Sequence, residues 1–295
     1  MSRVLVTGAT GSVGAHVTTL LRERGTPVCA LVRDAHRATE ILGEGVQLAV
    51  GDFEDAGSIR AALTAVDTLF LACGNVADQV EYECRAIDEA ARAGVRRIVK
   101  LSALGADIGA PVAFWHGHGL IEQHLRASGV PAVMLRPTFS MGNLLGAADQ
   151  VRHLGALFAP AAAARIAMIH PADVAAVAIV ALSDADHEGS TYVLTGPEAI
   201  TYAQVAADLS AATGQPVGYV DIPTEAAVSG LVQAGVPPFA AAEIVKVYET
   251  LRDGGQSQTT RTVEAVSGQP ARSFSEYARD HAPDFRSSVA DSLSA

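Results

Sequence analysis

Cysteine is scarce in this sequence. Only Cys29, Cys73 and Cys84 occur among 295 residues, and no two of them form a C-x-x-C pair. Cys29 and Cys73 lie inside strand-like apolar runs, where cysteine behaves as a small hydrophobic residue. We therefore expect buried, reduced thiols in a cytoplasmic protein.

Positive charge and long apolar runs are also in short supply. Lys and Arg number 21 against 32 Asp and Glu, which gives a formal net charge of −11. Nucleic-acid binders usually carry clustered Lys and Arg. The longest apolar run, VAAVAIVAL from Val174, is too short to cross a bilayer, and the N-terminal SRVLVTG lacks the basic lead of a signal peptide. Neither nucleic acid nor a membrane is therefore an expected partner.

The sequence does contain a regular alternation of strand-like and helical segments. Amphipathic stretches of helix length separate short runs rich in β-branched residues, namely RVLVT, PVCALV, VQLAV, DTLFLA, RRIVKLS and PAVMLR. This alternation is typical of a parallel sheet with helices on its faces. It predicts an α/β fold, a Rossmann-type doubly wound parallel sheet.

The pattern loosens after Pro137. A helix that begins near Pro171 and a seventh strand in STYVLTG resume it, and the chain from Gly196 onward is mostly helical in pattern. We expect a Rossmann core over residues 1–140 and a smaller, mostly helical substrate-side lobe over 141–295, with about 166–195 returning to the core. The intervening FAPAAAAR segment is either a lid or an ordinary surface loop.

A glycine-rich turn follows the first strand. GATGSVG places Gly8, Gly11 and Gly14 between RVLVT and an amphipathic helix. In this context glycines allow a tight turn, a close approach of a pyrophosphate and close helix–sheet packing, and the free helix amides bind the anion. The turn predicts a dinucleotide site.

Arginine follows the second strand, where an NAD-specific site usually has an acidic residue. Arg33, helped by Arg37, favours NADP(H) over NAD(H), because a guanidinium binds a 2′-phosphate in a bidentate manner. A solvated Arg33 with Asp34 on the ribose is the alternative. Asp52 and Phe53, at the end of the third strand, are expected to contact the adenine, and a cap on the next helix is the alternative role for Asp52. The predicted cofactor-binding residues are Gly8, Thr10, Gly11, Ser12, Val13, Gly14, Arg33, Arg37, Asp52, Phe53, Ala72, Cys73, His118 and Pro137.

The usual proton donor of short-chain dehydrogenases is absent. These enzymes place Tyr-x-x-x-Lys on one helical face, and the stretch FWHGHGLIEQHLRASGV has Phe114 and His118 at those positions, with Glu122 one turn later. His118 is either a proton donor and cofactor contact or a helix histidine satisfied by Glu122. Because His116 and His118 point to different faces, no metal site is expected.

Several segments together carry a family resemblance. The chain resembles the NmrA-like group of atypical short-chain dehydrogenases, which includes NAD(P)H-dependent azo and quinone reductases and redox-sensing regulators. The segments are VTGATGSVG, VRD, GDFED, IVKLSALGAD, LRASGVPAVMLRPTFSMGN, HPADVA, YVLTGPEAITYAQVA and VEAVSGQPARSFSEYARDHAPDF. The resemblance implies that His118 reaches the nicotinamide ribose or carboxamide. It also matches Asn143 to an amide of the group.

Two functions of different classes follow. The first is an NADPH-dependent reductase, with His118 and Ser102 near the transfer site, that passes hydride to a small aromatic quinone, azo compound or hydroxyaryl ketone. Such acceptors stabilise the added charge themselves, so they tolerate the loss of the usual acid. The second is a non-catalytic NADP(H) sensor, and sugar-nucleotide epimerisation is disfavoured by the missing Tyr and Lys. A monomer or homodimer is expected.

Overall fold

The structure is a computed structural model that describes residues 3–287. The chain divides into two compact units. Unit 1 comprises the described residues up to Pro137 together with Pro171–Leu194 and Thr262–Gln269. Unit 2 comprises Thr138–His170, Thr195–Arg261 and the described residues from Pro270 onward.

The strands and helices have the following bounds. The strands are β1 (Val4–Val6), β2 (Val28–Val32), β3 (Gln47–Val50), β4 (Thr68–Leu71), β5 (Arg97–Leu101), β6 (Ala132–Pro137), β7 (Ala156–Ala159), β8 (Thr191–Leu194) and β9 (Gly218–Asp221). The helices are α1 (Ser12–Glu23), α2 (Ala35–Leu42), α3 (Ala56–Ala62), α4 (Gln79–Ala93), α5 (Ala113–Ala127), α6 (Ala148–Leu154), α7 (Pro171–Ser183), α8 (Tyr202–Thr213), α9 (Thr224–Gln233), α10 (Pro238–Arg252), α11 (Thr262–Ser267), α12 (Phe274–Asp280) and α13 (Ala282–Phe285).

Unit 1 is built on a parallel sheet of seven strands in the order β3-β2-β1-β4-β5-β6-β8. The six predicted early strands and the seventh in STYVLTG are all present, which confirms the doubly wound parallel sheet. The strand order reverses between β1 and β4, and ligands of such sheets bind at the carboxyl ends of the strands beside this switch point. The sheet therefore places the glycine turn after β1 next to the end of β4.

Both faces of the sheet are covered, as the nearly continuous apolar strands predict. Leu69 and Leu71 share one core cluster with apolar residues of α3, α4 and α5. Phe70, between them in β4, is fully buried and points to the opposite face. On that side α1 and α7 pack against each other, and α7 begins at Pro171 as predicted.

Unit 2 is mostly helical around its own apolar core and contains a small parallel sheet of β7 and β9. Within FAPAAAAR, Ala159, Ala161 and Ala164 are buried in that core, while Ala162 and Ala163 form an exposed turn. The segment is thus anchored in the core, and a lid function stays a prediction. Met141 is also a core residue there, and Phe139 packs against the same core. In the described part of the chain, no helix combines the length and apolar character needed to cross a bilayer.

Candidate functional site

The glycine turn between β1 and α1 is shaped for close backbone packing. Gly8 has a φ of 58°, and a Cβ there would lie 2.9 Å from the Ala72 carbonyl oxygen. A Cβ on Gly14 would lie 2.2 Å from the Gly8 carbonyl oxygen, so only glycine permits α1 to start this close to the turn. Gly11 caps α1 without a side-chain hydrogen bond, and Thr10 and Ser12 beside it are exposed. The first amides of α1 have no acceptor within their own helix, so they are available to an anion.

The end of β4 is fixed against this turn. The Thr7 hydroxyl donates to the Ala72 carbonyl at 2.8 Å and accepts from the Ala72 amide at 2.8 Å. Cys73, the next residue, is half-buried, and burial raises the pKa of its thiol to about 12, with Glu83 acting in the same direction. A thiol with this pKa is not a nucleophile at neutral pH, so Cys73 can only line the site.

Two exposed guanidiniums follow β2. Arg33 and Arg37 have no ion pair or side-chain hydrogen bond to any residue in the range 3–287, and both are exposed. Asp34 caps α2 by accepting from the amides of His36 and Arg37 at 2.9 and 3.1 Å. Since the Asp34 side chain already serves this cap, the two arginines are the groups available to a ribose 2′-phosphate. The turn, the free amides and these cations fit a phosphorylated dinucleotide.

Asp52 and Phe53 lie after β3 in a loop held by local contacts. Asp52 Oδ1 accepts from the Glu54 amide at 3.0 Å, while Asp55 rather than Asp52 caps α3. The Phe53 ring is stacked on Tyr82 with their centroids 6.3 Å apart. The turn role of Asp52 is thus visible, and its predicted contact with adenine stays a prediction.

Helix α5 carries the residues that raised the question of a proton donor. Phe114 and His118 are both buried, and Phe114 supplies no hydroxyl. A Cβ on Gly119 would lie 2.5 Å from the Asp107 carbonyl carbon, so this glycine lets α5 pack against the loop after β5. His116 Nδ1 accepts from the Gly109 amide at 2.8 Å, on a different face from His118. Among residues 3–287, no cluster of three or more His, Cys, Asp or Glu side chains is arranged for a metal.

Four buried residues form what we call the β5–α5 polar face: Lys100 and Ser102 from β5 and its end, and His118 and Glu122 from α5. Residues two apart on a strand share one face, and residues four apart on a helix share one face. These two periodicities bring the four side chains together. In the sequence the signal was a lysine inside an otherwise apolar central strand, VKL, where a charge is unusual without a partner.

Glu122 is the centre of one half of this face. Its carboxylate accepts from Ser102 Oγ at 2.6 Å, from Arg136 at 2.9 and 2.7 Å, and from Arg126 at 2.8 Å. Burial raises the pKa of this carboxyl, but the hydrogen bonds from Arg136 and Ser102 outweigh burial, and the pKa is lowered overall. The Ser102 hydroxyl donates its hydrogen bond to Glu122 and so helps to orient this carboxylate. The catalytic role of Ser102 stays a prediction.

Lys100 is the centre of the other half, which sequence reasoning missed. Its ammonium lies 2.8 Å from Glu83 Oε2 and 3.2 Å from His118 Nδ1, and it also donates to the Leu101 carbonyl. Gln79, one turn before Glu83 on α4, donates to Glu83 Oε1 at 2.9 Å. The alternative in which Glu122 satisfies His118 is therefore wrong: the Nδ1 partner is Lys100, and Glu122 is engaged by Ser102 and two arginines.

The surroundings of His118 oppose a positive charge on its ring. Burial, then the Lys100 ammonium, then Arg136 hold the pKa of His118 well below 6.5. The imidazole is therefore neutral at physiological pH.

The remaining predicted positions lie at the ends of β6 and beyond. Pro137 is the last residue of β6, and its carbonyl accepts from the Leu104 amide at 2.8 Å. Asn143 is exposed in a short 3-10 helix, where its amide donates to the Ser140 carbonyl at 3.1 Å. The cofactor contact of Pro137 stays a prediction.

Comparison with known proteins gives consistent matches over nearly the whole chain. A model of the NmrA-like family matches residues 1–278. The NAD(P)H azoreductase of Xenophilus azovorans is 38% identical over 282 residues, which are 96% of this chain and 99% of that protein. The (4-alkanoyl-5-oxo-2,5-dihydrofuran-3-yl)methyl phosphate reductase of Streptomyces griseus subsp. griseus is 36% identical over 283 residues, covering 96% of this chain and 99% of that protein.

A solved structure adds a likeness in three dimensions. The NADPH-dependent quinone oxidoreductase of Escherichia coli, complexed with NADPH, has a TM-score of 0.82 and 28% sequence identity. The match covers 94% of this chain and 99% of that one.

Proposed function

The chain belongs to the NmrA-like family, and we propose that it is an NADPH-dependent reductase of small, electron-poor aromatic acceptors such as quinones, azo compounds and hydroxyaryl ketones. Two relatives that match almost end to end are reductases, and the E. coli quinone oxidoreductase was solved with NADPH. The observation in this chain that carries the proposal is the cradle of Gly8, Gly11 and Gly14 beside the exposed Arg33 and Arg37.

The cofactor would be held mainly by backbone groups. The amides at the start of α1 would bind the pyrophosphate, and Arg33, with Arg37, would bind the 2′-phosphate that distinguishes NADP(H) from NAD(H). When bound, the reduced nicotinamide supplies a hydride, which is the difficult part of the chemistry. The protein's own contribution is to position the two reactants and to exclude water.

The acceptor class follows from the absence of a tyrosine hydroxyl at position 114, where the chain has Phe. A side-chain acid typically contributes about a hundred- to ten-thousand-fold to such a transfer. Phe114 contributes no proton, and the Ser102 hydroxyl donates its hydrogen bond to Glu122. An acceptor that delocalises the incoming electron pair, as a quinone or an azo group does, can react without that acid. The Streptomyces relative is named for a conjugated oxo-dihydrofuran, which has the same property.

An acceptor screen with purified protein tests this proposal. NADPH oxidation is followed with 1,4-naphthoquinone, methyl red, 2′-hydroxyacetophenone and cyclohexanone, and NADH is run beside it. We expect the quinone and the azo dye to react fastest and cyclohexanone slowest. Faster reduction of cyclohexanone would contradict the acceptor class. Tight NADPH binding without oxidation by any acceptor would indicate the sensor of the NmrA type instead.

The setting of the protein is part of the same proposal. We expect a cytoplasmic protein that is a monomer or a homodimer and that binds no nucleic acid, in keeping with its net charge of −11. Cell fractionation and light scattering test the location and the oligomeric state.

A further inference from the structure

The contact between Lys100 and His118 fixes the direction of a hydrogen bond. An ammonium group has three donors and no acceptor, so at 3.2 Å from Lys100 Nζ the His118 Nδ1 must accept. In a neutral imidazole with an accepting Nδ1, the proton lies on Nε2. The other ring nitrogen of His118 is therefore a donor.

Lys100 is itself held in place on every side. Its side chain and that of Glu83 have no exposed surface; the ammonium forms an ion pair with Glu83 at 2.8 Å and donates a hydrogen bond to the Leu101 carbonyl. Glu83 is anchored in turn by Gln79 on α4. A line of buried groups thus runs from α4 through β5 to the His118 ring on α5, at the position where short-chain dehydrogenases have their helical lysine.

From this arrangement we infer that Lys100 is a positioning residue: held by Glu83, it keeps His118 in the neutral form protonated on Nε2, so that His118 offers a hydrogen bond to the reduced acceptor without giving up its proton. The inference rests on the proposed function and adds residues and a role to it. Neither Lys100 nor Glu83 was singled out by the sequence.

The chemistry balances without an acid from the protein. A bound reduced nicotinamide would supply a hydrogen together with both electrons of its C–H bond, and the acceptor would gain them in a new bond. A quinone would thereby become a hydroquinone monoanion, and the nicotinamide would be oxidised. The Nε2 hydrogen of His118 bonds to the oxygen that gains the negative charge, and water protonates that oxygen later. A donor aimed at developing charge acts as an oxyanion hole does.

Charged groups around His118 favour this neutral form. Lys100 lies on β5 and Arg136 on β6, while Glu83 comes from α4 and Glu122 from its own helix. Both carboxylates are already matched by cations, Glu83 by Lys100 and Glu122 by Arg136 and Arg126. Neither is free to stabilise an imidazolium.

The rival explanation is that Lys100 and Glu83 form a buried ion pair with a structural role only. The exchanged pair Glu83→Lys with Lys100→Glu separates the two ideas. The exchange keeps an ion pair between positions 83 and 100 but presents an acceptor, instead of a donor, to His118 Nδ1. A structural pair predicts no change at His118, whereas the positioning role predicts that the proton moves to Nδ1.

The tautomer is read directly by NMR. Long-range proton–nitrogen correlation on the nitrogen-15-labelled full chain reports which ring nitrogen is protonated, and His118→Gln identifies the signal. We expect wild-type His118 to show the proton on Nε2 and no titration between about pH 5 and 8. The exchanged pair should show the proton on Nδ1 or an imidazolium. A wild-type proton on Nδ1, or an unchanged tautomer in the exchanged pair, overturns the inference.

A second variant covers the case in which the exchanged pair does not fold. Lys100→Met with Glu83→Gln removes both charges in similar volume, which buried pairs often tolerate. With no donor left at Nδ1, the tautomer of His118 protonated on Nδ1 should gain population, and an unchanged ratio of the two tautomers would count against the role of Lys100. The matched control is Arg97→Met with Glu188→Gln, which removes another ion pair of β5 and should leave His118 unchanged.

Kinetics with 1,4-naphthoquinone give the functional readout. The exchanged pair should lower kcat about a hundredfold, the loss typical of one oxyanion donor, with little change in the KM for NADPH. His118→Gln keeps an amide hydrogen near the Nε2 position and should retain more activity than His118→Phe. Equal activities of those two variants would contradict the donor role. If wild type oxidises no NADPH, the proposed function fails while the NMR result still decides the tautomer.

Discussion

The glycine turn after β1 and the β5–α5 polar face hold their functional groups by different means. The turn uses backbone amides, and its shape depends on missing side chains at Gly8, Gly11 and Gly14. The polar face uses buried, charged side chains that hold one another, with Lys100 and Glu122 at its two centres. A backbone site tolerates exposure to solvent. A side-chain network of this kind needs every partner, because one unpaired buried charge is costly.

The largest effect should come from breaking the polar face at Glu122. Glu122→Ala leaves Arg136 without its bidentate partner and Ser102 without its acceptor. Removing one partner of a buried pair typically costs about 3–5 kcal/mol of unfolding free energy. Urea unfolding measures the loss, and Glu122→Gln, which keeps the volume, should lose less. Equal stability of Glu122→Ala and wild type would show that the network does not stabilise the fold.

Acid should reproduce part of this loss. Because the pKa of Glu122 is lower in the folded protein than its ordinary 4.5, the carboxylate stabilises the fold above that value. This contribution disappears as the pH falls through the lowered pKa. Glu122→Gln should therefore lose less stability than wild type between about pH 5 and 2.

A substitution in the glycine turn should weaken cofactor binding more than it destabilises the fold. Gly14→Ala puts a Cβ 2.2 Å from the Gly8 carbonyl oxygen, so α1 must move away from the turn. We expect NADPH affinity to fall about a hundredfold, equivalent to ~2.7 kcal/mol. Calorimetry measures it, and Gly230→Ala in the exposed part of α9, where a Cβ meets open space, is the control. Unchanged NADPH affinity in Gly14→Ala would show that the pyrophosphate does not bind at this turn.

These two regions also differ in how much the sequence revealed. The turn was predicted because its glycines, strand and helix are neighbours in the chain. The sheet was predicted for the same reason, since each strand is an apolar run bounded by local signals. In the polar face, Lys100 meets Glu83 and His118 from 17 and 18 positions away, and only folding decides such pairings. From sequence alone, the partner considered for His118 was Glu122, its nearest charged neighbour on the helix, as one of two alternatives.

Unit 2 also contains a pairing between distant segments that the sequence pattern did not predict. The Ala-rich segment around Ala159 has no strand-like alternation, yet β7 forms there by pairing with β9 about sixty positions later. Burial in the core of unit 2 determines its conformation, and no local pattern announces it.

Cofactor preference tests the role of the solvent-exposed Arg33 beside the glycine turn. Arg33→Ser removes a guanidinium that has no protein partner among residues 3–287, so folding should be unaffected. NADPH affinity should fall about tenfold while NADH affinity stays the same, because only NADPH carries the 2′-phosphate. Arg24→Ser, also exposed, is the matched control. An equal loss for both cofactors would assign Arg33 to the adenine or the pyrophosphate.

The smallest effect is expected at Ser102, which lies at a strand end and also belongs to the buried side-chain network. Its hydroxyl lies at the end of a strand, where ligands bind, but it donates a hydrogen bond to Glu122, with the two oxygens 2.6 Å apart. Ser102→Ala should cost about 1 kcal/mol in unfolding free energy, because Glu122 keeps its bonds to both arginines. Turnover of 1,4-naphthoquinone should change less than about threefold, whereas loss of a catalytic donor would cost about a hundredfold. A hundredfold loss would restore Ser102 as a donor to the acceptor and would mean that its bond to Glu122 opens during the reaction.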